Sequence, residues 1–191
     1  MSMILPHPFY QRDAETVARE LIGATLVRHY RGRDYRARVV ETEAYVGPQD
    51  LACHAAKGRT PRTDTMFLPG GHAYVYFIYG MYDMLNVVTG AKDDPQAVLI
   101  RAAEPLDGWD ADLSGPGKLT RAMHITRAQD RADLTAKTLH FLAAAAPSPR
   151  LAVSPRIGVD YAKHWKDAPL RFFDPDSRAV SGKRAPPPRP Q

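Results

Sequence analysis

The stretch that most constrains this 191-residue chain is residues 39–54, whose pattern is that of a strand carrying functional side chains. Alternate residues of a strand share a face, so Glu41, Glu43 and Tyr45 are predicted to point the same way. The opposite face is predicted to consist of Val40, Thr42 and Ala44. A Gly-Pro pair ends the strand, and His54 follows within a short segment. Carboxylates beside an aromatic ring and an imidazole form a candidate acid–base site.

The preceding sequence predicts a partner for this strand. Asp13 is a suitable N-cap for a helix over residues 14–22. A strand is predicted over 24–30, and the returning strand over 35–46. The two strands form an antiparallel pair with Glu43 near the far end of the second.

A second informative stretch, residues 73–89, is predicted to form a hairpin around Tyr79-Gly80-Met81. It contains four of the nine tyrosines of the protein: Tyr74, Tyr76, Tyr79 and Tyr82. A buried tyrosine usually packs in a core with a satisfied hydroxyl, and Tyr74 fits that description. Tyr79 lies beside the glycine of the predicted tip, where core packing is hardest to arrange.

Two later segments add basic residues. A strand over 96–103 contains Arg101 between apolar residues, so Arg101 requires a partner such as Glu43 or Glu104. Ser114-Gly-Pro-Gly is predicted to lead into a helix from Lys118, and a lysine at a helix start suits a phosphate. An ordinary Gly/Pro turn explains the same residues equally well.

These elements predict an α/β fold of the α+β type, a single compact domain with a mostly antiparallel, curved β-sheet and surrounding helices. Residues 55–72 are predicted to be a loop, with short strands over 156–159 and 169–173. The domain is expected to cover residues 1–184. The Pro-rich segment 185–191 is expected to be a disordered tail.

The composition indicates a globular protein of a reducing compartment. Apolar residues make up 44% and charged residues 25% of the chain, and no apolar run approaches the ~20 residues of a membrane span. A signal peptide is not recognisable, and the single cysteine, Cys53, cannot form an internal disulfide. We therefore expect an intracellular, cytoplasmic protein, nucleoid-associated if bacterial, that does not bind membranes. We also expect a monomer.

The net charge of +5 is unevenly distributed. Residues 1–40 carry 7 Lys/Arg and 4 Asp/Glu, and residues 148–191 carry 9 and 4. The middle, with the candidate site, carries 10 and 13. Basic ends are consistent with binding a polyanion, and equally with a merely basic surface.

Since the sequence contains no CxxC, HExxH, GxGxxG, Walker or GxSxG motif, we expect no metal and no cofactor.

Several motifs occur in the order seen in the alkyladenine (3-methyladenine) DNA glycosylase family, which the chain resembles over roughly residues 9–173. The most specific are Glu-Thr-Glu-Ala-Tyr at 41–45 and Tyr-Gly-Met-Tyr at 79–82. Further matches include Ile100-Arg-Ala-Ala-Glu, Ser114-Gly-Pro-Gly-Lys and Arg156-Ile-Gly-Val. One departure is in Ser-Gly-Pro-Gly-Lys, whose second glycine stands where the family's Ser-Gly-Pro-Ser-Lys variant has a serine.

The resemblance implies a monofunctional enzyme of base-excision repair. Such an enzyme flips a damaged purine out of double-stranded DNA and hydrolyses its N-glycosidic bond, which leaves an abasic site. The pattern alone does not distinguish Glu43 from Glu41, and the resemblance assigns Glu43 as the base that activates water. Arg101 and the carbonyl of Ile157 resemble the groups that hold that water.

The resemblance also implies roles for residues that contact the base and the DNA. Tyr45 and Tyr76 resemble the walls that sandwich the flipped base, and His54 the group at its edge. Asn86 resembles the gate against the amino group of guanine. The residues that resemble the DNA-facing set are the wedge Tyr79, together with Met81, Tyr82 and Lys118.

Two other functions are open at this stage. A glycosylase-lyase would attack the sugar with a lysine amine, for which Lys57 and Lys118 are the candidates near the motifs. A non-catalytic reader would bind distorted nucleic acid through aromatic and basic residues. Such a reader needs neither Glu43 nor Arg101, whereas trapping with borohydride identifies a lyase.

Overall fold

The long strand predicted from the sequence lies at the centre of the β-sheet. The computed structural model describes residues 3–145 and 150–182. The strands within these ranges are β1 (Thr25–Tyr30), β2 (Arg33–Tyr45), β3 (Ala73–Ile78), β4 (Tyr82–Thr89), β5 (Gln96–Pro105), β6 (Leu139–Leu142), β7 (Ala152–Ser154) and β8 (Arg171–Phe173). The helices are α1 (His7–Tyr10), α2 (Ala14–Leu21) and α3 (Pro116–Ala122).

All strand pairs are antiparallel, and they form one curled sheet in the order β3-β4-β5-β2-β1-β6. Strand β8 pairs with both β2 and β7. Because β2 is 13 residues long, it pairs with β1 at its start and with β5 and β8 nearer its end. The fold is thus of the α+β class in one compact domain, as predicted.

Helix α2 packs its apolar face on the sheet and fixes the middle of β2. Asp13 caps the helix by accepting a hydrogen bond from the backbone N–H of Thr16 at 2.8 Å. Val17 and Leu21 of this helix are fully buried in the main core. The hydroxyl of Thr42 donates to the carbonyl of Ala18 at 2.8 Å, which ties β2 to the helix.

An irregularity in β2 determines which residues face the site. The register between β2 and β5 shifts around Glu41, between Val39 and Thr42. Before the shift, Val39 belongs to the main core, whereas after it Ala44 does. Core-facing residues of β2 are thus odd-numbered before the shift and even-numbered after it. Glu43 therefore points away from the main core and Thr42 towards it.

The predicted elements before residue 106 agree with the structure apart from their bounds. The loop 55–72 contains two short 3-10 turns, His54–Lys57 and Asp64–Phe67. Helix α3 begins at Pro116 rather than at Lys118, because proline at the first helical position has a suitable φ. No helix within the described ranges has the length and apolar character that crossing a membrane requires.

One prediction made for later residues is wrong. Residues 156–159 are not a strand: the strand here is β7, and Arg156 instead turns inwards to a buried carboxylate. Of the two partners predicted for Arg101, Glu43 lies 3.5 Å from its guanidinium, whereas Glu104 pairs with Arg38 at 2.7 Å. The predicted tail, 185–191, lies outside the described residues, as do residues 146–149.

Candidate active site

Glu43 is held by three groups from three separate parts of the chain. Its Oε2 accepts a hydrogen bond from the hydroxyl of Tyr45 at 2.7 Å, and its Oε1 accepts one from the backbone N–H of Ile157 at 2.7 Å. Nη1 of Arg101 lies 3.5 Å from the same Oε1. The carboxylate is fully buried, so its position is fixed by these partners rather than by water.

The three partners of Glu43 all line one cavity of about 340 Å³. Its other walls are largely aromatic and apolar, and they include His54, Tyr74, Tyr76, Asn86 and Tyr161. A cavity of this size and composition, with a carboxylate directly behind one wall, has the usual character of a small-molecule or base site.

The aromatic wall is held together by hydrogen bonds and ring contacts. Nδ1 of His54 is 2.9 Å from the hydroxyl of Tyr74, and the His54 ring meets the Tyr76 ring edge-on at 4.6 Å. Burial, followed by the charges of Arg62 and Lys57, lowers the pKa of His54 to about 4. His54 is therefore neutral at pH 7 and can both donate and accept a hydrogen bond.

Tyr45 and Tyr76 stay protonated near neutral pH. Burial, together with the charge of Glu43, raises the pKa of Tyr76 to about 12. The same two causes, in the same order, raise the pKa of Tyr45 well above its ordinary value. The hydroxyl of Tyr45 is thus a hydrogen-bond donor to Glu43, and both rings remain neutral stacking surfaces.

Asn86 presents a fixed amide at the cavity wall. It lies on β4, and its side-chain Nδ2 donates to the carbonyl of Tyr74 at 3.2 Å and approaches that of Met84 at 3.5 Å. Only 4% of the residue is exposed. Because the amide is anchored to the backbone, it acts as a rigid part of the wall rather than as an adaptable one.

A buried ion pair supports the site from behind. Arg156 and Asp50 are both fully buried in their side chains and form a bidentate pair. The guanidinium also donates to the carbonyl of Ala44 at 2.9 Å and lies over the Tyr45 ring at 4.8 Å. This arginine therefore joins the end of β2 to the segment whose next residue, Ile157, contacts Glu43.

The second carboxylate of the strand, Glu41, has a different environment. It is fully buried, and its oxygens accept bonds from Nε of Arg171 at 2.6 Å and from the backbone N–H and hydroxyl of Ser181 at 2.6 and 3.0 Å. Nε of Arg101 lies 3.4 Å away. Arg101 thus contacts both carboxylates, and Glu41 is occupied by structural contacts.

The β3–β4 hairpin carries an exposed tyrosine at its tip. Tyr79 is 81% exposed, and Met81 is 60% exposed. Tyr79 and Gly80 both have positive φ angles, +54° and +65°, which suit the tightest hairpin turns. For tyrosine such a backbone is uncommon, so the turn displays its ring at some cost in strain. The ring also borders the cavity.

Comparison with known proteins identifies the family. The profile of methylpurine-DNA glycosylase (MPG) matches residues 8–178. The chain belongs to the methylpurine-DNA glycosylase family. It is therefore an enzyme of the class that hydrolyses N-glycosyl bonds of damaged DNA.

Relatives with the name "Putative 3-methyladenine DNA glycosylase" are similar to this glycosylase over nearly their whole length. One from Myxococcus xanthus (strain DK1622) is 52% identical over 96% of this chain and 95% of its own. One from Legionella pneumophila (strain Lens) is 47% identical over 93% and 97%. One from Methanocella arvoryzae (strain DSM 22066 / NBRC 105507 / MRE50) is 47% identical over 96% and 98%.

The structure of this family member brings most of the predicted site residues together. Those that line the cavity are Tyr45, His54, Tyr76, Tyr79, Asn86, Arg101 and Ile157, and Glu43 lies behind the wall, bonded to Tyr45. The other predicted DNA-facing residues lie outside it. Met81 and Tyr82 border a neighbouring cleft, and Nζ of Lys118 is engaged by Asp112 at 2.8 Å.

Sequence reasoning missed three charged residues that support the candidate site from a distance and one tyrosine of the cavity wall. The charged residues are Asp50, Arg156 and Arg171, and the tyrosine is Tyr161. The available signal was the presence of single charged residues in apolar surroundings, which implies a buried partner without identifying it. Among the described residues, no group of three His, Cys, Asp or Glu side chains could hold a metal ion.

Proposed function

We propose that this chain is a monofunctional glycosylase that flips an alkylated purine out of duplex DNA and hydrolyses its N-glycosidic bond. The observation that carries the proposal is the buried carboxylate of Glu43, held by Tyr45, Arg101 and Ile157 behind an aromatic cavity. The preferred substrate class is 3-methyladenine, in line with the names of the relatives.

The aromatic surfaces support base flipping energetically. Extruding a base costs a few kcal/mol, and stacking on an aromatic side chain returns about 1–3 kcal/mol per contact. The rings of Tyr45 and Tyr76 receive the base, while Tyr79 fills the gap left in the duplex. Two walls and one wedge together offset the cost of extrusion, whereas a single ring does not.

The chemistry follows from the charge of the lesion. Alkylation makes the purine cationic, so it leaves with the glycosidic electron pair as a neutral base. Water adds at C1′ of the sugar, and Glu43 takes the proton that the water loses. A positioned carboxylate in this role contributes roughly 10²–10⁴-fold. The products are the free base and an abasic site.

Two neighbours of Glu43 orient the attacking water. In this proposal the guanidinium of Arg101 donates a hydrogen bond to the water and the carbonyl of Ile157 accepts one from it. The neutral tyrosine faces favour the cationic purine over an undamaged one. Asn86, whose amide is anchored to the Tyr74 carbonyl, is proposed to act as the gate against the amino group of guanine that the family resemblance implies.

The cavity argues against the lyase mechanism. No lysine is among the described residues that line it, and Lys118 is paired with Asp112 on the surface. A lyase needs an amine next to C1′. A non-catalytic reader of distorted nucleic acid would not require the buried Glu43–Arg101 arrangement.

The test is to incubate the protein with a duplex that carries one alkylated purine and to measure the released base. The same reactions are treated with borohydride and, separately, with alkali. The proposal predicts released base, an alkali-sensitive strand and no covalent adduct. An adduct trapped by borohydride would indicate the lyase, and binding without released base would indicate the reader.

A further inference from the structure

Three exposed arginines from separate parts of the chain lie against aromatic rings of the β3–β4 hairpin. Arg62 follows the first 3-10 turn, Arg121 is in α3, and Arg127 begins a later 3-10 turn. Measured from guanidinium carbon to ring centre, the pairs are Arg62 on Tyr76 at 5.6 Å, Arg127 on Phe77 at 4.6 Å and Arg121 on Tyr82 at 5.8 Å. These distances are within the range of cation–π attraction.

Their charges are less neutralised than those of most ring-stacked arginines in this protein. Others have close carboxylate partners: Arg12 with Glu20, Arg19 with Glu15, Arg59 with Asp64, Arg156 with Asp50 and Arg171 with Glu41. Within the described part of the chain, Arg62 and Arg121 have no carboxylate within 4.0 Å. Arg127 reaches only Asp83, at 3.9 Å.

The three arginines lie on both faces of the hairpin. Tyr76 pairs with Met84, and both line the base cavity. Phe77 pairs with Asp83, and side chains of consecutive strand residues point to opposite faces. Arg62 is therefore on the face of the cavity and Arg127 on the other face.

Arg121 extends the positive surface to one side of the hairpin. Together with Tyr82 it borders a polar cleft of about 430 Å³, to which Arg28 and Tyr30 of β1 also contribute. Arg31 and Arg33 of the β1–β2 turn stack on Tyr30 and Tyr35 in the same way. The positive surface thus continues from the hairpin towards the β1–β2 turn.

We propose that Arg62, Arg121 and Arg127 form a phosphate clamp that holds the backbone of duplex DNA on both sides of the inserted Tyr79. This inference rests on the proposed function, in which Tyr79 enters the duplex. A wedge between base pairs brings both faces of its hairpin next to the sugar–phosphate backbone. The aromatic contacts orient each guanidinium without neutralising it, so less side-chain entropy is lost on binding.

The clamp is tested by the salt dependence of binding to a lesion-free duplex. Each phosphate contact contributes about 0.9 to the slope of log affinity against log salt concentration. The triple variant R62Q/R121Q/R127Q is expected to reduce the magnitude of this slope by about 3. The triple lysine variant is expected to keep most of it, since the charge remains.

The matched control is R12Q/R19Q/R36Q, which removes the same charge from at least partly exposed arginines paired with Glu20, Glu15 and Asp107. It is expected to leave both the slope and base release unchanged. A fall of less than 1 in the clamp variant, or an equal fall in the control, would overturn the clamp. Because no lesion is present, this result is independent of the base-release assay, whose failure would overturn the proposed function instead.

Discussion

At the scale of single residues, Glu41 and Glu43 lie two positions apart on one strand, but their hydrogen-bond partners give them different environments. Glu41 accepts hydrogen bonds from Arg171 and Ser181. Glu43 accepts them from the Tyr45 hydroxyl and the Ile157 N–H, and both of these residues line the cavity. The strand pattern alone predicts the shared face. The contacts support the choice of Glu43 that the family resemblance implied.

Removing the ring of Tyr79 is expected to weaken base flipping. Tyr79→Ala loses one stacking contact of about 1–3 kcal/mol, which corresponds to roughly 5- to 150-fold in the flipping equilibrium. The measurement is the fluorescence of a base analogue at the lesion position. Tyr79→Trp is the control and is expected to retain flipping, because it keeps a planar ring. An unchanged equilibrium in Tyr79→Ala would exclude the wedge role.

The buried histidine is expected to make stability depend on pH. The pKa of His54 is about 4 in the folded state and 6.5 ordinarily, so the unfolded chain binds the extra proton between these values. The free energy of unfolding is therefore highest above pH 6.5 and falls as the pH drops towards 4.

This dependence is measured by urea unfolding across pH 4–7. In the His54→Gln variant, the fall in the free energy of unfolding between pH 6.5 and pH 4 is expected to be smaller by up to about 3 kcal/mol. The exposed His164→Gln variant is the control and is expected to follow the wild type. Parallel curves for wild type and His54→Gln would show that His54 is not the group responsible.

At the scale of elements, the site depends on how the segment after β7 is attached to β2. Arg156 makes that attachment through Asp50 and the carbonyl of Ala44, and the N–H of the following residue contacts Glu43. A change in this segment therefore affects both stability and the position of the carboxylate.

Arg156→Met is expected to destabilise the protein by about 3–5 kcal/mol, because it leaves Asp50 buried without a partner. Denaturant unfolding measures this loss. Arg38→Met breaks pairs with Glu104 and the buried Asp174 in which the arginine side chain is 32% exposed, and it is expected to cost less. Equal losses for the two variants would contradict the importance of the buried pair.

Local sequence patterns predicted most helices and strands, but they did not predict contacts between residues far apart in the sequence. The strand period and the Tyr-Gly turn found β2 and the β3–β4 hairpin, because both signals lie within a few residues. The Arg156–Asp50 pair joins residues 106 positions apart, and no spacing rule indicates it. The predicted strand over 156–159 failed for this reason: a buried partner for Arg156 outweighed its apolar neighbours.

At the scale of the whole molecule, one curled sheet supports separate apolar clusters. The main core holds helix α2 and the apolar face of β2, whereas a smaller cluster around Tyr74 and Met66 supports the cavity. Changes at the cavity wall therefore leave the main core in place. This arrangement lets binding and chemistry be tested separately in the intact protein.

The most direct test of the central claim is the variant Glu43→Gln, which keeps the size of the side chain and removes its basicity. Its single-turnover excision of an alkylated purine is expected to fall at least about 100-fold, while its affinity for the lesion duplex stays within a few-fold of the wild type. Tyr45→Phe, which retains the ring, is expected to be intermediate. Near-wild-type excision by Glu43→Gln would contradict the account.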